Sequence, residues 1–162
     1  MLRDKVLLGA LAGAFANFVM EISELILWKR NILPHPLFHY LASLLMPMEA
    51  SHHHYLGQVM GFLGTKVYGA FLGVIFIFLL TYTGYRFFWA KGLLYGAFLW
   101  LFSYGVLASL PIVKLSAYPR MPLVTLLFLL LHLLFGFALG LFIQVVARAG
   151  PQPPAERDEN QL

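Results

Sequence analysis

The stretch from Val6 to Trp28 constrains the fold most, because it combines the length and apolarity of a membrane-spanning helix with one amide and two carboxylate side chains. At about 1.5 Å per residue, such a helix crosses a hydrocarbon core of about 30 Å. Asn17, Glu21 and Glu24 share one side of it, since successive residues are about 100° apart. Carboxylates at membrane depth are costly and usually face protein or water. We therefore expect the other helices to pack around this side.

The composition also indicates a membrane protein. Of the 162 residues, 60% are apolar and 11% are charged, whereas about 25% of the residues in a soluble domain are charged. The net charge of +4 is spread along the chain, which favours loops beside anionic lipid over a nucleic-acid surface. The chain contains no Cys, which excludes disulfides and Cys-ligated metals.

Four apolar stretches predict an all-α integral membrane protein, a four-transmembrane-helix bundle with a short interfacial helix in the first loop. The spans cover about residues 6–28, 55–82, 90–110 and 123–146. Residues 37–46 are apolar but too short to cross a membrane, and prolines bound them, so an interfacial or re-entrant helix is expected there. Residues 1–148 then form a single four-span membrane domain. Residues 149–162 are rich in Pro and charge and predict a disordered polar tail.

Basic residues indicate the orientation of the chain. Four spans place both termini on one side, and that side carries more Arg and Lys than the other. The positive-inside rule then predicts a multi-pass protein of the cytoplasmic membrane with cytoplasmic termini. This layout resembles that of small four-pass bacterial membrane proteins. The basic residues are Arg3, Lys5, Arg86, Lys91, Arg148 and Arg157 on the side of the termini, and Lys29, Arg30, Lys114 and Arg120 on the other.

Ionisable side chains from several spans share one depth. Counted from the first-loop end of each span, at about 1.5 Å per residue, they lie roughly 10–15 Å inside. This layer has two interpretations: a polar or proton-accessible site, or a structural ion pair of Glu21 or Glu24 with Lys66 that fixes helix register. Either way, we expect Glu21 or Glu24 within hydrogen-bonding reach of Lys66 or His132. The layer consists of Asn17, Glu21, Glu24, Lys66, Tyr104 and His132.

The first loop contains a cluster of potential metal ligands, namely His35, His39, Glu49, His52, His53 and His54. Two His at i and i+4 can share a metal if the segment is helical. The spacing superficially resembles the histidine boxes of membrane fatty-acid desaturases and hydroxylases, H-x3-H followed by H-x2-H-H. However, Glu49 stands in place of the first His of the second box, the third box is absent, and Pro36 lies inside the first pair. The alternative is a set of interfacial histidines that bond lipid headgroups, and the sequence requires no cofactor.

Glycines mark expected helix contacts, because small residues let helices approach closely in lipid. The second span has two glycine sides, one with Gly57, Gly61 and Gly64 and the other with Gly69 and Gly73. We expect one side to pack within the bundle and the other to meet a second subunit or a partner protein. The remaining packing glycines are Gly13, Gly92, Gly96, Gly136 and Gly140.

Three functions fit these features. The first is a non-enzymatic subunit of a membrane assembly, or a homo-oligomer, whose partners are the lipid bilayer and further copies or other membrane proteins. The second is a small transporter or channel that uses the Glu/Lys/His layer for protons or ions. The third is a metal-dependent membrane enzyme that uses the first-loop histidines. No nucleic-acid partner is expected, and common motifs for hydrolases and nucleotide binding are absent from the sequence.

The first-loop helix yields a topological prediction. Because the chain has no Cys, a Ser43→Cys variant carries one thiol. We expect a membrane-impermeant maleimide to modify it from outside intact cells, while Ala155→Cys in the tail reacts only after permeabilisation. If both positions react only from the cytoplasmic side, residues 37–46 do not lie at the outer interface.

Overall fold

The structure, a computed structural model, describes residues 4–34, 36–45, 55–106 and 122–149. These residues are almost entirely helical and include no strand. The helices are α1 (Lys5–Lys29), α2 (Leu37–Leu45), α3 (Tyr55–Thr83), α4 (Phe88–Gly105) and α5 (Pro122–Ala149). The predicted all-α class is confirmed.

Three of the described helices, α1, α3 and α5, are long and apolar enough to cross a membrane. They correspond to the first, second and fourth predicted spans. Helix α4 matches the third predicted span but is shorter than the other three long helices and richer in aromatic residues. The predicted end of that span, residues 107–110, lies outside the described residues, as does most of the predicted tail.

Both ends of α1 are fixed by local hydrogen bonds. At its start, the carboxylate of Asp4 accepts a hydrogen bond from the backbone amide of Leu7 at 2.9 Å, the usual role of an N-cap. At its end, Asn31 adopts a left-handed φ of 57°, and the amide of Ile32 bonds the carbonyl of Leu27 at 2.9 Å. This Schellman arrangement stops the helix sharply. The chain therefore folds back toward α1, where Leu33 is buried.

The long helices pack mainly as two pairs, α1 with α3 and α4 with α5, and α1 also packs on α5. Glycines face each other across both pairs, so the backbones approach closely. A Cβ placed on any of these glycines would overlap an atom of the facing helix, which is backbone in every case except Gly69, where it is the side chain of Asn17. The glycines are Gly9 and Gly13 against Gly69 and Gly73 in the first pair, and Gly92 against Gly136, Gly96 against the carbonyl of His132, and Gly140 against Phe88 in the second.

Helix α2 covers the other glycine side of α3. Gly61 lies against the backbone of Phe38 and the side chain of Ala42, and Gly64 lies against Leu41. Both glycine sides of α3 are therefore used within one chain, one by α2 and one by α1. The expectation that one side must meet a second subunit was wrong for these glycines, because a short helix in the first loop already packs there.

Helices α3 and α4 make few contacts with each other, although only four residues separate them. The ammonium group of Lys91 fixes this turn by donating hydrogen bonds to the carbonyl oxygens of Thr83 at 2.8 Å and Gly84 at 2.7 Å. A cation at a helix C-terminus also interacts favourably with the helix dipole. Further along, Tyr95 of α4 donates a hydrogen bond to the carbonyl of Leu72 at 3.0 Å.

Large apolar side chains cover the outward sides of the helices as well as the core. The core is formed by residues such as Ala12, Ala16, Phe76, Phe128 and Leu139. Helices that are apolar on all sides are typical of membrane spans or of the interior of large proteins. The outward residues include Leu7, Leu11, Phe15, Ile22 and Ile26 on α1, Val67, Phe71 and Phe78 on α3, and Leu123, Leu126, Leu130 and Phe137 on α5.

The glycine contacts predict the effect of adding one methyl group. Gly136→Ala places a Cβ against the carbonyl oxygen of Gly92, so we expect the free energy of unfolding to fall by about 1–3 kcal/mol. Gly105→Ala is the matched control, since a Cβ there meets no atom of the described residues within 4 Å. Unfolding in mixed detergent micelles measures both. Equal stability of the two variants would show that the backbones of α4 and α5 are further apart at Gly92 and Gly136 than in this structure.

Candidate functional site

Glu21 and Lys66 form an ion pair between α1 and α3. The ammonium group donates a hydrogen bond to one carboxylate oxygen of Glu21. The hydroxyl of Thr65 shares its single hydrogen between the other oxygen of Glu21, at 3.2 Å, and the carbonyl of Phe62, at 2.8 Å. The expectation that a glutamate of α1 lies within reach of Lys66 is therefore confirmed, and both carboxylate oxygens of Glu21 are occupied.

Aromatic rings shield this ion pair on its outer side. The Lys66 nitrogen lies 4.4 Å from the ring centroid of Phe62 and 5.5 Å from that of Phe18. The Lys66 side chain is 21% exposed, whereas that of Glu21 is 5% exposed. Because a cation is attracted to the face of an aromatic ring, the two rings stabilise the partly exposed ammonium group of Lys66.

Glu24 makes a different contact, with the first amide of α2. Its Oε2 atom accepts a hydrogen bond from the backbone nitrogen of Leu37 at 2.9 Å, and the residue is only 1% exposed. The first amides of a helix have no acceptor within the helix, and a carboxylate there also interacts favourably with the helix dipole. Among the described residues, the Oε1 atom has no hydrogen-bond partner.

The sequence also indicates this contact through a feature other than the depth of residues along each span. Pro36 immediately precedes a short apolar helix, so the amide of Leu37 must find an acceptor outside that helix. In the structure Pro36 is fully buried, and the acceptor of the Leu37 amide is Glu24. A buried carboxylate on the neighbouring helix was therefore a plausible partner for α2 as well as for Lys66.

Asn17 occupies the same side of α1, one turn from Glu21. Its side chain lies against Gly69 of α3 and is buried. In the part of the chain that the structure describes, the amide nitrogen Nδ2 has no hydrogen-bond acceptor. We call Asn17, Glu21 and Glu24 the polar face of α1. It presents two atoms, Asn17 Nδ2 and Glu24 Oε1, whose hydrogen-bonding capacity is unused by described residues.

His132 belongs to the α4–α5 pair. Its Nδ1 atom lies 2.7 Å from the carbonyl of Phe128, and a carbonyl only accepts, so Nδ1 carries a hydrogen. No hydrogen bond joins His132 to the Glu21–Lys66 pair within the described ranges. Of the two partners expected for a glutamate of α1, Lys66 or His132, the described residues show Lys66. Its backbone carbonyl packs against Gly96.

Tyr104 lies closer to the polar face. Its ring centroid is 5.8 Å from that of Phe128 and 6.0 Å from that of Trp100. Tyr104 and Glu24 are near enough to interact electrostatically. Tyr104 thus packs on α5 and lies within electrostatic range of Glu24 on α1.

Of the first-loop residues predicted as metal ligands, the structure describes only His39. It is buried, and its ring packs edge-on against Trp28 at 5.6 Å and Phe38 at 4.3 Å between centroids. His35, Glu49, His52, His53 and His54 lie outside the described residues. Within the described ranges, no three His, Asp or Glu side chains are arranged to hold a metal ion.

Comparison with protein-family models, curated proteins and solved structures gives no match to this chain.

The ion pair predicts a specific loss of stability. Lys66→Met leaves the buried carboxylate of Glu21 without its cation, and we expect a loss of about 3–5 kcal/mol in the free energy of unfolding. Lys29→Met is the control, since Lys29 is exposed at the end of α1 and its loss should cost less than about 0.5 kcal/mol.

Glu21→Gln combined with Lys66→Met completes a double-mutant cycle. Because the two side chains contact each other, the double variant should be more stable than the sum of the single losses predicts. Additive losses, or a Lys66→Met variant as stable as Lys29→Met, would contradict a stabilising pair.

Proposed function

We propose that the protein is a multi-pass protein of the cytoplasmic membrane whose helices α1, α3, α4 and α5 form a four-span bundle, with α2 as a re-entrant helix. Apolar side chains on the outward sides of the helices support this placement, because lipid is the environment that covers such surfaces. Helix α2 crosses α3 at Gly61 and Gly64, about 9–14 Å from the start of α3 at about 1.5 Å per residue. That depth favours a re-entrant position over one at the membrane surface.

We further propose that it acts non-enzymatically, as a subunit of a membrane assembly or as a homo-oligomer. The observation that carries this proposal is the scarcity of contacts between α3 and α4. Helix α4 packs on α5 through its glycine side and leaves Leu94, Phe98 and Leu101 exposed. A helix from another subunit would complete the packing on this side. The engagement of Glu21 by Lys66 and Thr65 also favours a structural role for that pair over a catalytic one.

A second candidate function is the movement of protons or ions through the polar layer. It is favoured by one observation, the unused hydrogen-bonding capacity of Asn17 Nδ2 and Glu24 Oε1 on the polar face of α1. Ionisable residues inside membranes commonly mark ion or proton pathways. Proton flux into proteoliposomes that contain the purified protein separates this candidate from a purely structural subunit.

The proposed assembly predicts a mass greater than that of one chain. We expect particles extracted from the membrane with their lipid to contain several copies or an additional membrane protein. Phe98→Ala on the exposed side of α4 should reduce the particle to a single chain, because aromatic side chains supply much of the packing area. Leu130→Ala on α5 is the control, since Leu130 is similarly exposed. A wild-type particle that contains one chain alone would refute the proposal.

A further inference from the structure

Among the residues that the structure describes, the polar face of α1 and its contacts hold more negative than positive groups. Glu21 and Glu24 lie within one turn of each other, and Lys66, the cation in contact with this face, is bound to Glu21. Glu24 is the more deeply buried of the two, at 1% exposure. A buried carboxylate whose charge is not matched by a contacting cation is unfavourable. Glu24 therefore needs either a positive partner or a proton.

The hydrogen bonds of Glu24 distinguish its two oxygen atoms. Oε2 accepts the amide hydrogen of Leu37, whereas Oε1 has no partner among the described residues. An oxygen that already accepts an N–H is a poor site for an additional hydrogen, so a proton added to this carboxylate binds Oε1. The amide of Leu37 can remain bonded to Oε2 in both forms of the carboxyl group.

Asn17 supplies an independent observation about the same face. It is buried, and its Nδ2 atom is a donor without an acceptor in the described part of the chain. Buried polar atoms in native proteins nearly always have a protein or water partner. Its side chain lies against α3 at Gly69, the helix that Glu21 contacts one turn further on. The polar face thus has an unused donor at one end and an unused acceptor at the other, as a site for water and an exchangeable proton requires.

We propose that Glu24 is a proton-binding site in the interior of the protein, with the proton carried on Oε1. Binding transfers one proton from hydronium to the carboxylate and releases one water molecule, and no other bond changes. The inference rests on the proposed membrane placement but not on the proposed assembly. The site is distinct from the Glu21–Lys66 pair, whose carboxylate oxygens are already engaged.

The charged and titratable groups around the site come from several helices. Glu21 on α1 and Lys66 on α3 act on Glu24 electrostatically, and Tyr104 on α4 interacts with it as well. On α2, the Leu37 amide bonds it directly, and His39 lies two residues further along. On α5, His132 is bonded to Phe128. Among these, Glu24 is the carboxyl group with an open oxygen atom.

Proton binding at Glu24 also affects the docking of α2. A hydrogen bond from an amide to a carboxylate is stronger than one to the neutral acid. The Leu37 bond is therefore strongest when Glu24 is ionised and weakens as pH falls and the proton binds. Because linkage is reciprocal, release of the α2 N-terminus would favour proton uptake by Glu24.

Infrared spectroscopy of the full chain in lipid bilayers tests the site. We expect a C=O band of a protonated carboxyl group that disappears reversibly as pH rises. Glu24→Gln should abolish this band. Glu21→Gln is the matched control, a carboxylate on the same face with both oxygens engaged, and it should retain a titrating band. A titrating band that survives in Glu24→Gln and disappears in Glu21→Gln would overturn the assignment, as would a wild-type spectrum without any such band.

Two further measurements apply even if Glu24→Gln folds poorly. An apolar carbodiimide reacts with protonated carboxyl groups, so wild-type protein in bilayers should acquire one adduct, mapped by mass spectrometry to Glu24, with a rate that falls as pH rises. An adduct on Glu21 instead would refute the proposal. Where Glu24→Gln does fold, amide exchange in the segment Leu37–Leu45 should be about fivefold faster than in wild type at a pH where Glu24 is ionised, while Glu21→Gln leaves it unchanged.

These results are separable from the proposed assembly. A wild-type particle of one chain would refute the assembly and leave the infrared band of Glu24 unaffected. A titrating band that does not depend on Glu24 would refute the proton site and leave the particle mass unaffected.

Discussion

The close approach of α1 and α3 at their facing glycines is the constraint on which the rest of the structure depends. Gly13 lies against the backbone of Gly69 and Gly73, so no side chain separates the two helices there. This contact sets the register that brings Glu21 opposite Thr65 and Lys66, two turns further along. A shift of one residue would rotate Lys66 away from the carboxylate and leave both charges without a partner. The apolar packing of small residues therefore determines whether the polar contact forms.

Much of this arrangement follows from residue spacing alone. The shared side of Asn17, Glu21 and Glu24 and the depth of Lys66 predict the meeting of α1 with α3, because helix geometry is regular. The roles of Glu24 and His132 could not be obtained in this way. Depth places a residue along a helix but does not say which neighbour occupies the space beside it. Glu24 binds the backbone of α2, and His132 bonds its own helix at Phe128, and both outcomes depend on tertiary packing.

The glycine pattern shows the same limit. Sequence spacing correctly identified Gly61 and Gly64 as a packing surface separate from Gly69 and Gly73. The spacing did not indicate which element would cover each surface. The nine-residue helix α2, in the preceding loop, covers Gly61 and Gly64. The two long-helix pairs also resemble each other, since each is built on Gly-x3-Gly spacings, Gly9 and Gly13 in α1 and Gly92 and Gly96 in α4.

The position of Lys66 on a later helix than Glu21 has a consequence for how the chain is made. In the proposed membrane placement, α1 leaves the ribosome before α3 during synthesis, so its two carboxylates reach the bilayer before Lys66 is made. Each charged residue at the centre of an inserting helix costs on the order of 3 kcal/mol. Helix α1 alone is therefore a poor substrate for lateral release from the translocon. In that placement, stable insertion of the first helix waits for α3, and the nascent chain enters the lipid as a hairpin of α1 and α3 in which Glu21 is already paired with Lys66.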